Sequence, residues 1–518
     1  MGSINGEVMK RQIHLLITAM AVIAAGHTAQ ALELDWGGAF RAEGHYIRNY
    51  ALDSDSGYTR DAVRENAGGY YIPGGGSANA NFQNLFLKLK PKLIVNDNIY
   101  IKSEWWLGDP VFGFFGSAAP YSFDQRQFYS SQSRGSTISA QRFWADFVSD
   151  VGTVRIGRAP LHWGLGLVWN NGDGVWDRYA STGDTVALLT KFGSFSFMPS
   201  FTKYSMGNNI SGSCHVFGGV CNTARGGADV TDISLWIKYE NPDDDLEGGV
   251  NFIKRVSGAA QDPAAGYLGI GSAGTTQLPS GAHFNIWDLY GKKRFGKFSL
   301  AGELPITTGE VAGIDYKTFA FAVESGFKFN EKWETGLKFG QAAGQPNMQT
   351  PRPDRFKAFF FNPNYKVAHI MFNYQFISFA GPNSQNNPAV NSTQLLSPFD
   401  NPIVNARYIN WGGSFTLDKW NFNTSFTYAM AIETAKPGSF FYNTWRRRIY
   451  QSATQQEQSK NMGWEMDYGF KFHWDEAFVL SGDIGFFFPG SFYGFSNTQA
   501  GNKQSMVMGG AVKAAVTF

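Results

Sequence analysis

Charged side chains recur along this chain at alternate positions, set between apolar ones. Arg41 and Glu43, Lys88 and Lys90, Lys102 and Glu104, and Arg142 and Asp146 follow this spacing, and Arg155, Lys238, Glu303, Glu324, Glu334, Lys338, Glu465 and Asp467 continue it. In an extended strand, alternate side chains share one face. Both signs of charge therefore fall on one side of a sheet. Opposed basic and acidic rows facing each other across water make a transverse field that favours ions and polar solutes over greasy ones. The same groups could also pair within a wall and serve only to solvate it.

Other chemistries find less support. Outer-loop histidines such as His162 and His215 have no accompanying nucleophile motif, so no hydrolase cluster can be assembled and no catalytic residue is expected. The run Asn170 to Gly174 misses the spacing of a calcium loop and reads as an ordinary glycine-rich turn. His215 alone completes no metal site, and nothing signals a cofactor. Cys214 and Cys221 lie seven residues apart in an exported chain and read as a local disulfide; a pair of free thiols or metal ligands is the other reading. Arg446, Arg447 and Arg448 read as a solvated basic loop or one touching lipopolysaccharide phosphates.

Such charges need elements that hold them inward, and the sequence supplies strands throughout. Leu85, Leu87 and Leu89 alternate with Lys88 and Lys90; Phe143, Ala145 and Phe147 alternate with Arg142 and Asp146. Charged residues are only 17% and aromatic residues 16%, with 60 glycines. This composition fits lipid-facing strands, interfacial aromatic girdles and many turns. Lys10 and Arg11 precede an apolar stretch, Ile13 to Ala25, and then Ala29-Gln30-Ala31. These features predict a secretory signal peptide over 1–31, with residues 1–8 as an upstream extension and a single β-barrel domain over 32–518. Taking Lys10, Arg11 and Glu7 from 44 basic and 42 acidic residues leaves a net charge of +1, which argues against a nucleic-acid partner.

The connections alternate between tight and long. Turns such as Asn96 to Asn98, Ser149 to Gly152 and Trp474 to Glu476 separate long stretches including 109–138, 159–183, 341–354, 378–404 and 433–460. Short periplasmic turns and long outer loops describe an all-β, antiparallel up-and-down barrel crossing a Gram-negative outer membrane. Counting by this rule gives about 20 strands, or 18 if Phe356 to Phe361 is not one, the number being even. Side chains cannot fill a lumen of that size, so a water channel is expected. No segment ahead of the first strand is long enough to plug it.

Several motifs carry resemblances. Phe518, ending the alternating strand that starts at Met506, resembles the C-terminal assembly signal of outer-membrane barrels, which implies the barrel assembly machinery as a partner. General porins are similar in folding a third outer loop into the pore. On that resemblance Arg158, His162, Asp173, Asp177, Arg178 and Asp184 form a constriction facing Arg41, Arg142 and Arg155; the loop 109–138, with Asp124, Arg126 and Arg134, is a rival of equal length. The hairpin from Gly463-Trp464-Glu465-Met466-Asp467-Tyr468 to Phe486-Phe487-Phe488-Pro489-Gly490 looks like the closing region of alginate-export-type porins. The run Gly157-Arg158-x-Pro160-x-His162-Trp163-Gly164-Leu165-Gly166 looks like porin-like proteins of deltaproteobacteria. The resulting expectation is a passive porin for ions and small polar solutes, not an enzyme. The alternative is a saccharide or polysaccharide channel of the alginate-export type, for which the inward Trp106, Trp144 and Trp236 would form a stacking track. Lipid and lipopolysaccharide are the expected surroundings; the oligomeric state stays open.

Overall fold

The computed structural model describes residues 33–49, 52, 79–108, 138–204, 230–256, 282–311, 313–351, 353–374, 399, 401–444, 448–452, 455–495 and 504–518. The signal segment, Cys214 and Cys221, the charged residues of 109–137, and Arg446 and Arg447 lie outside them.

Alternation makes the wall. The strands are β1 (Glu33–Arg48), β2 (Ala80–Asn96), β3 (Ile99–Leu107), β4 (Ile138–Ser149), β5 (Gly152–Pro160), β6 (Thr182–Phe192) and β7 (Phe195–Tyr204). They continue with β8 (Val230–Asn241), β9 (Leu246–Val256), β10 (Ala282–Phe295), β11 (Phe298–Val311), β12 (Ile314–Lys328) and β13 (Trp333–Ala342). A two-residue β14 (Arg355–Phe356) adds parallel to β12 outside the antiparallel circuit, and a small hairpin, β17 (Phe440–Asn443) with β18 (Arg448–Gln451), forms a separate sheet. The circuit ends with β15 (Ala406–Leu417), β16 (Trp420–Ala431), β19 (Asn461–His473), β20 (Phe478–Pro489) and β21 (Val507–Thr517). Each wall strand pairs antiparallel with its neighbours, and β1 pairs with both β2 and β21, so the barrel closes on 18 strands.

Closure leaves no sheet edge and satisfies every ladder internally, which is the condition for crossing hydrocarbon with strands. The outward face is oily: Phe40, Leu85, Phe143, Ile156, Phe201, Ile233, Leu289 and Trp411 are all exposed. Near the short turns Phe192, Phe195, Phe295, Phe298, Phe329, Trp333, Trp420 and Trp474 form an exposed aromatic ring. An apolar exterior this extensive is stable in acyl chains and not in water. The protein is an integral outer-membrane β-barrel.

Of the two counts the sequence allows, the structure has 18, with Phe356 to Phe361 forming no wall strand. The stretch 343–405 is one long excursion between β13 and β15, and Phe359 and Phe361, read from sequence as wall, are buried inside the barrel. The physical reason is that Phe359, Phe361, Tyr365, Val367, Ile370 and Met371 bury themselves in one apolar cluster against the inside of the wall. Their room comes from small inward residues on the wall: Ala320, Ala322, Ala342, Ala406 and Ala429 are fully buried against them. The outer connection between β11 and β12 is also tight, only residues 312 and 313.

The seam between first and last strands depends on a missing side chain. Gly38 donates to the Phe518 carbonyl at 2.7 Å and accepts from the Phe518 N–H at 3.1 Å. A Cβ there would lie 2.4 Å from the Lys88 carbonyl oxygen and 2.8 Å from the Phe518 ring. Gly38→Val is therefore expected to destabilise the folded barrel by about 1–3 kcal/mol through overpacking. Midpoints of urea unfolding in detergent would show it, and an unchanged midpoint would mean that the seam has slack.

Candidate functional site: a lumen narrowed by two inward segments

Inward positions along the register carry polar groups that pair with one another and with the backbone of inward segments. The ladders place Arg41, Glu43, Lys88, Lys90, Lys102, Glu104, Arg142, Asp146 and Arg155 on one face, opposite the exposed Phe40, Leu85 and Phe143. Glu324, Glu334, Glu465 and Asp467 share that face further around the wall.

Residues 161–181, between β5 and β6, fold into the lumen. A chain segment crossing a barrel carries carbonyls and N–H groups that must find partners away from water. The wall provides them by charge. Arg41 donates to the carbonyls of Val175 and Asp177, both at 2.7 Å, and Lys88 donates to the Gly172 carbonyl at 2.8 Å. Arg142 donates to the Asn171 carbonyl and lies 3.0 Å from Asp173 and 2.9 Å from Glu104. Lys90 reaches Asp173 at 2.8 Å, and Arg178 pairs with Glu43. On the far side the polarity reverses: Glu303 accepts from the N–H groups of Leu165 and Leu167. Gly164 sits against that carboxylate, where a Cβ would come within 2.6 Å, and its φ of +57° is one that glycine adopts without strain.

A second segment, 357–374, enters from between β13 and β15. Glu465 accepts from Ile370 and Met371, both at 2.6 Å, and Asp467 accepts from the His369 N–H at 3.3 Å. Tyr365 donates to Glu324 at 3.1 Å, and the Tyr374 hydroxyl lies 2.8 Å from His45. The two segments also hold each other. Asn362 donates to the Leu167 carbonyl at 2.8 Å, while the Asn364 side chain donates to the Tyr179 carbonyl at 2.6 Å and accepts from the Arg178 N–H at 3.2 Å.

This geometry divides the charged residues read from sequence into two sets. Arg41, Glu43, Lys88, Glu104, Arg142, Asp146, Glu465 and Asp467 are buried. Those still open to the lumen include Lys90 (36% exposed), Lys102, Arg155, Glu324 and Glu334, with Asp173 (42% exposed) on the first segment. His162 and Asp177 also lie on that segment. In Asp173 the nearby Lys90 and Arg142 hold the carboxyl below its usual range against the opposing effect of burial, so it carries its charge at neutral pH.

Two expected constriction residues are corrected. Arg158 and Asp184 belong to β5 and β6, where they sit directly opposite each other and pair at 2.8 Å. Arg158 is in register with Phe143 on the outward face. The cause is that β5 runs on to Pro160, past the point where the glycine-rich motif suggested a loop. The sequence did not show the second segment entering the lumen; the row of inward alanines facing it was the available signal.

No family model matches this sequence, and no curated protein matches it. Several solved structures resemble it in shape. Pseudomonas aeruginosa OpdQ aligns at 10% identity over 94% of this chain and 97% of its own, with a TM-score of 0.45. Pseudomonas aeruginosa OccK2 (OpdF) aligns at 7% identity over 93% of this chain and 98% of its own, with a TM-score of 0.46. An anion-selective porin from Comamonas acidovorans aligns at 11% identity over 94% of this chain and all of its own, with a TM-score of 0.37.

Proposed function

We propose that the protein is a porin, a water-filled passage for ions and small polar solutes, narrowed by residues 161–181 and 357–374. One observation carries the reading: inside a closed wall of 18 strands, charged groups of both signs remain in contact with solvent beside the inward segments. Asp173, Lys90 and Arg155 sit where a permeating ion meets them, so they set its preference by charge. The purified barrel in planar bilayers is expected to give discrete conductance steps that shrink as neutral solutes of increasing size fail to enter. A folded protein that conducts nothing would end this reading.

Charge reversal gives the finer test. Asp173→Lys, which removes one of the two carboxylates that Lys90 and Arg142 share, is expected to move the reversal potential in a salt gradient towards anion preference. Unchanged selectivity would remove residues 161–181 from the constriction.

A second reading, passage of a saccharide in the manner of alginate-export-type channels, is favoured by the rings in the lumen. Trp236 and Tyr290 are half-buried on the lumen face and flank the buried Trp163 at 6.0 and 6.2 Å, centroid to centroid. Sugar rings stack on such surfaces, and saturable block of the current by oligosaccharides would favour this reading.

A further inference from the structure

Below the first inward segment, the lumen face of β9, β10 and β11 buries polar groups that have no protein partner. Asp288 is 0% exposed, and neither of its carboxylate oxygens takes a hydrogen bond. Asn251, directly opposite in the ladder and also 0% exposed, leaves both its Oδ1 and its Nδ2 unmatched. The Thr307 hydroxyl on β11 is equally buried and equally unmatched. Glu303 is within hydrogen-bonding reach of Asp288, and among the described residues no Lys, Arg or His forms an ion pair with either carboxylate. Trp163 roofs the group, donating its Nε1–H to the Asp288 carbonyl at 3.1 Å.

The other buried carboxylate pair shows what satisfaction looks like. Three of the four oxygens of Glu465 and Asp467 accept hydrogen bonds from Ile370, Met371, His369 or Ser425. Around Asp288 no such donors converge. Two adjacent carboxylates without a counter-charge are unfavourable in a dry site. The available donors are all hard oxygens: two carboxylates and an amide carbonyl. Each carboxylate oxygen of Glu303 keeps a lone pair beyond the one given to Leu165 or Leu167.

We propose that Asp288, Glu303 and Asn251 bind one hard divalent cation of the calcium class beneath the inward segment. Two carboxylates neutralise its charge, and irregular oxygen coordination of this kind suits calcium better than the strict octahedron of magnesium. Glu303 holds the N–H groups of Leu165 and Leu167, and the Asp288 carbonyl holds Trp163, so the ion ties the first half of the segment to the wall. This inference is independent of what the channel conducts.

The test uses the full folded chain in detergent, stripped by a chelator and titrated with terbium, a calcium mimic whose luminescence a nearby tryptophan sensitises. Trp163 is the antenna. Wild-type protein is expected to give a saturable signal that calcium displaces, and Asp288→Asn and Glu303→Gln to weaken binding at least tenfold. Glu331→Gln, in an exposed periplasmic turn, is expected to match wild type. Calcium should also raise the thermal midpoint of wild type and not that of Asp288→Asn, which keeps the shape of the side chain. Signals from Asp288→Asn and Glu303→Gln equal to wild type would show surface binding only. No saturable wild-type signal, together with an infrared carboxyl band lost in Asp288→Asn, would show a shared proton instead. Either result overturns the proposal.

Discussion

Arg142→Ala is expected to cost the barrel about 3–5 kcal/mol, the scale for breaking a buried ion pair from one side. Arg142 is 2% exposed, and its guanidinium serves Glu104, Asp173 and the Asn171 carbonyl together. Removing it leaves Glu104, at 1% exposure, with Trp106 Nε1 as its near donor at 2.6 Å and Lys90 no closer than 3.8 Å. Arg142→Lys keeps the charge and loses the fork, so it should recover only part of the loss. Reversible unfolding in detergent or lipid measures the first quantity. The second consequence appears in single channels: residues 170–178 lose one of the four cations that hold them, and the current should become noisier and larger. A variant within 1 kcal/mol of wild type would show that the network around Asp173 is not fixing the segment.

The reason this network could be partly read from sequence is geometric. Period-two alternation fixes which side chains share a face, and Arg41, Lys88, Glu104 and Arg142 share theirs whatever the loops do. What alternation does not encode is whether an inward charge meets water or backbone. That depends on segments far away in sequence: Arg41 meets Val175 at a separation of 134 residues, and Glu465 meets Ile370 at 95. The same limit explains the misplaced Arg158 and Asp184. A charged pair on the outward end of two strands resembles a loop in composition, and only the ladder shows that the strands continue past them. Residues 357–374 went unread for a different reason. Their apolar run suits a strand or a buried coil equally, and length and periodicity do not separate the two. The distinguishing mark lay on other strands, in the alanines at 320, 322, 342, 406 and 429 that leave volume for the rings.

The second inward segment is expected to loosen in acid, and His369 is the group that makes it do so. The residue is half-buried, its Nε2 is buried with no hydrogen-bond partner, and desolvation pushes the imidazole down to about 4. Asp467 and Asp483 act in the opposite direction, while Lys513 and His45 reinforce the fall. The Tyr374 ring packs edge-on at 5.8 Å. The packed segment therefore binds fewer protons than the released one between pH 6.5 and 4, so its stability rises with pH across that window. The contribution is complete above about pH 6.5 and is lost as pH falls towards 4, by about 3 kcal/mol in all. Because the segment occupies the lumen, its release should appear as a conductance that grows on acidification from pH 7 to pH 4. His369→Gln cannot take up the proton and should flatten that limb while leaving the neutral-pH current close to wild type. An acid limb of the same size and midpoint in His369→Gln would assign the transition to other groups.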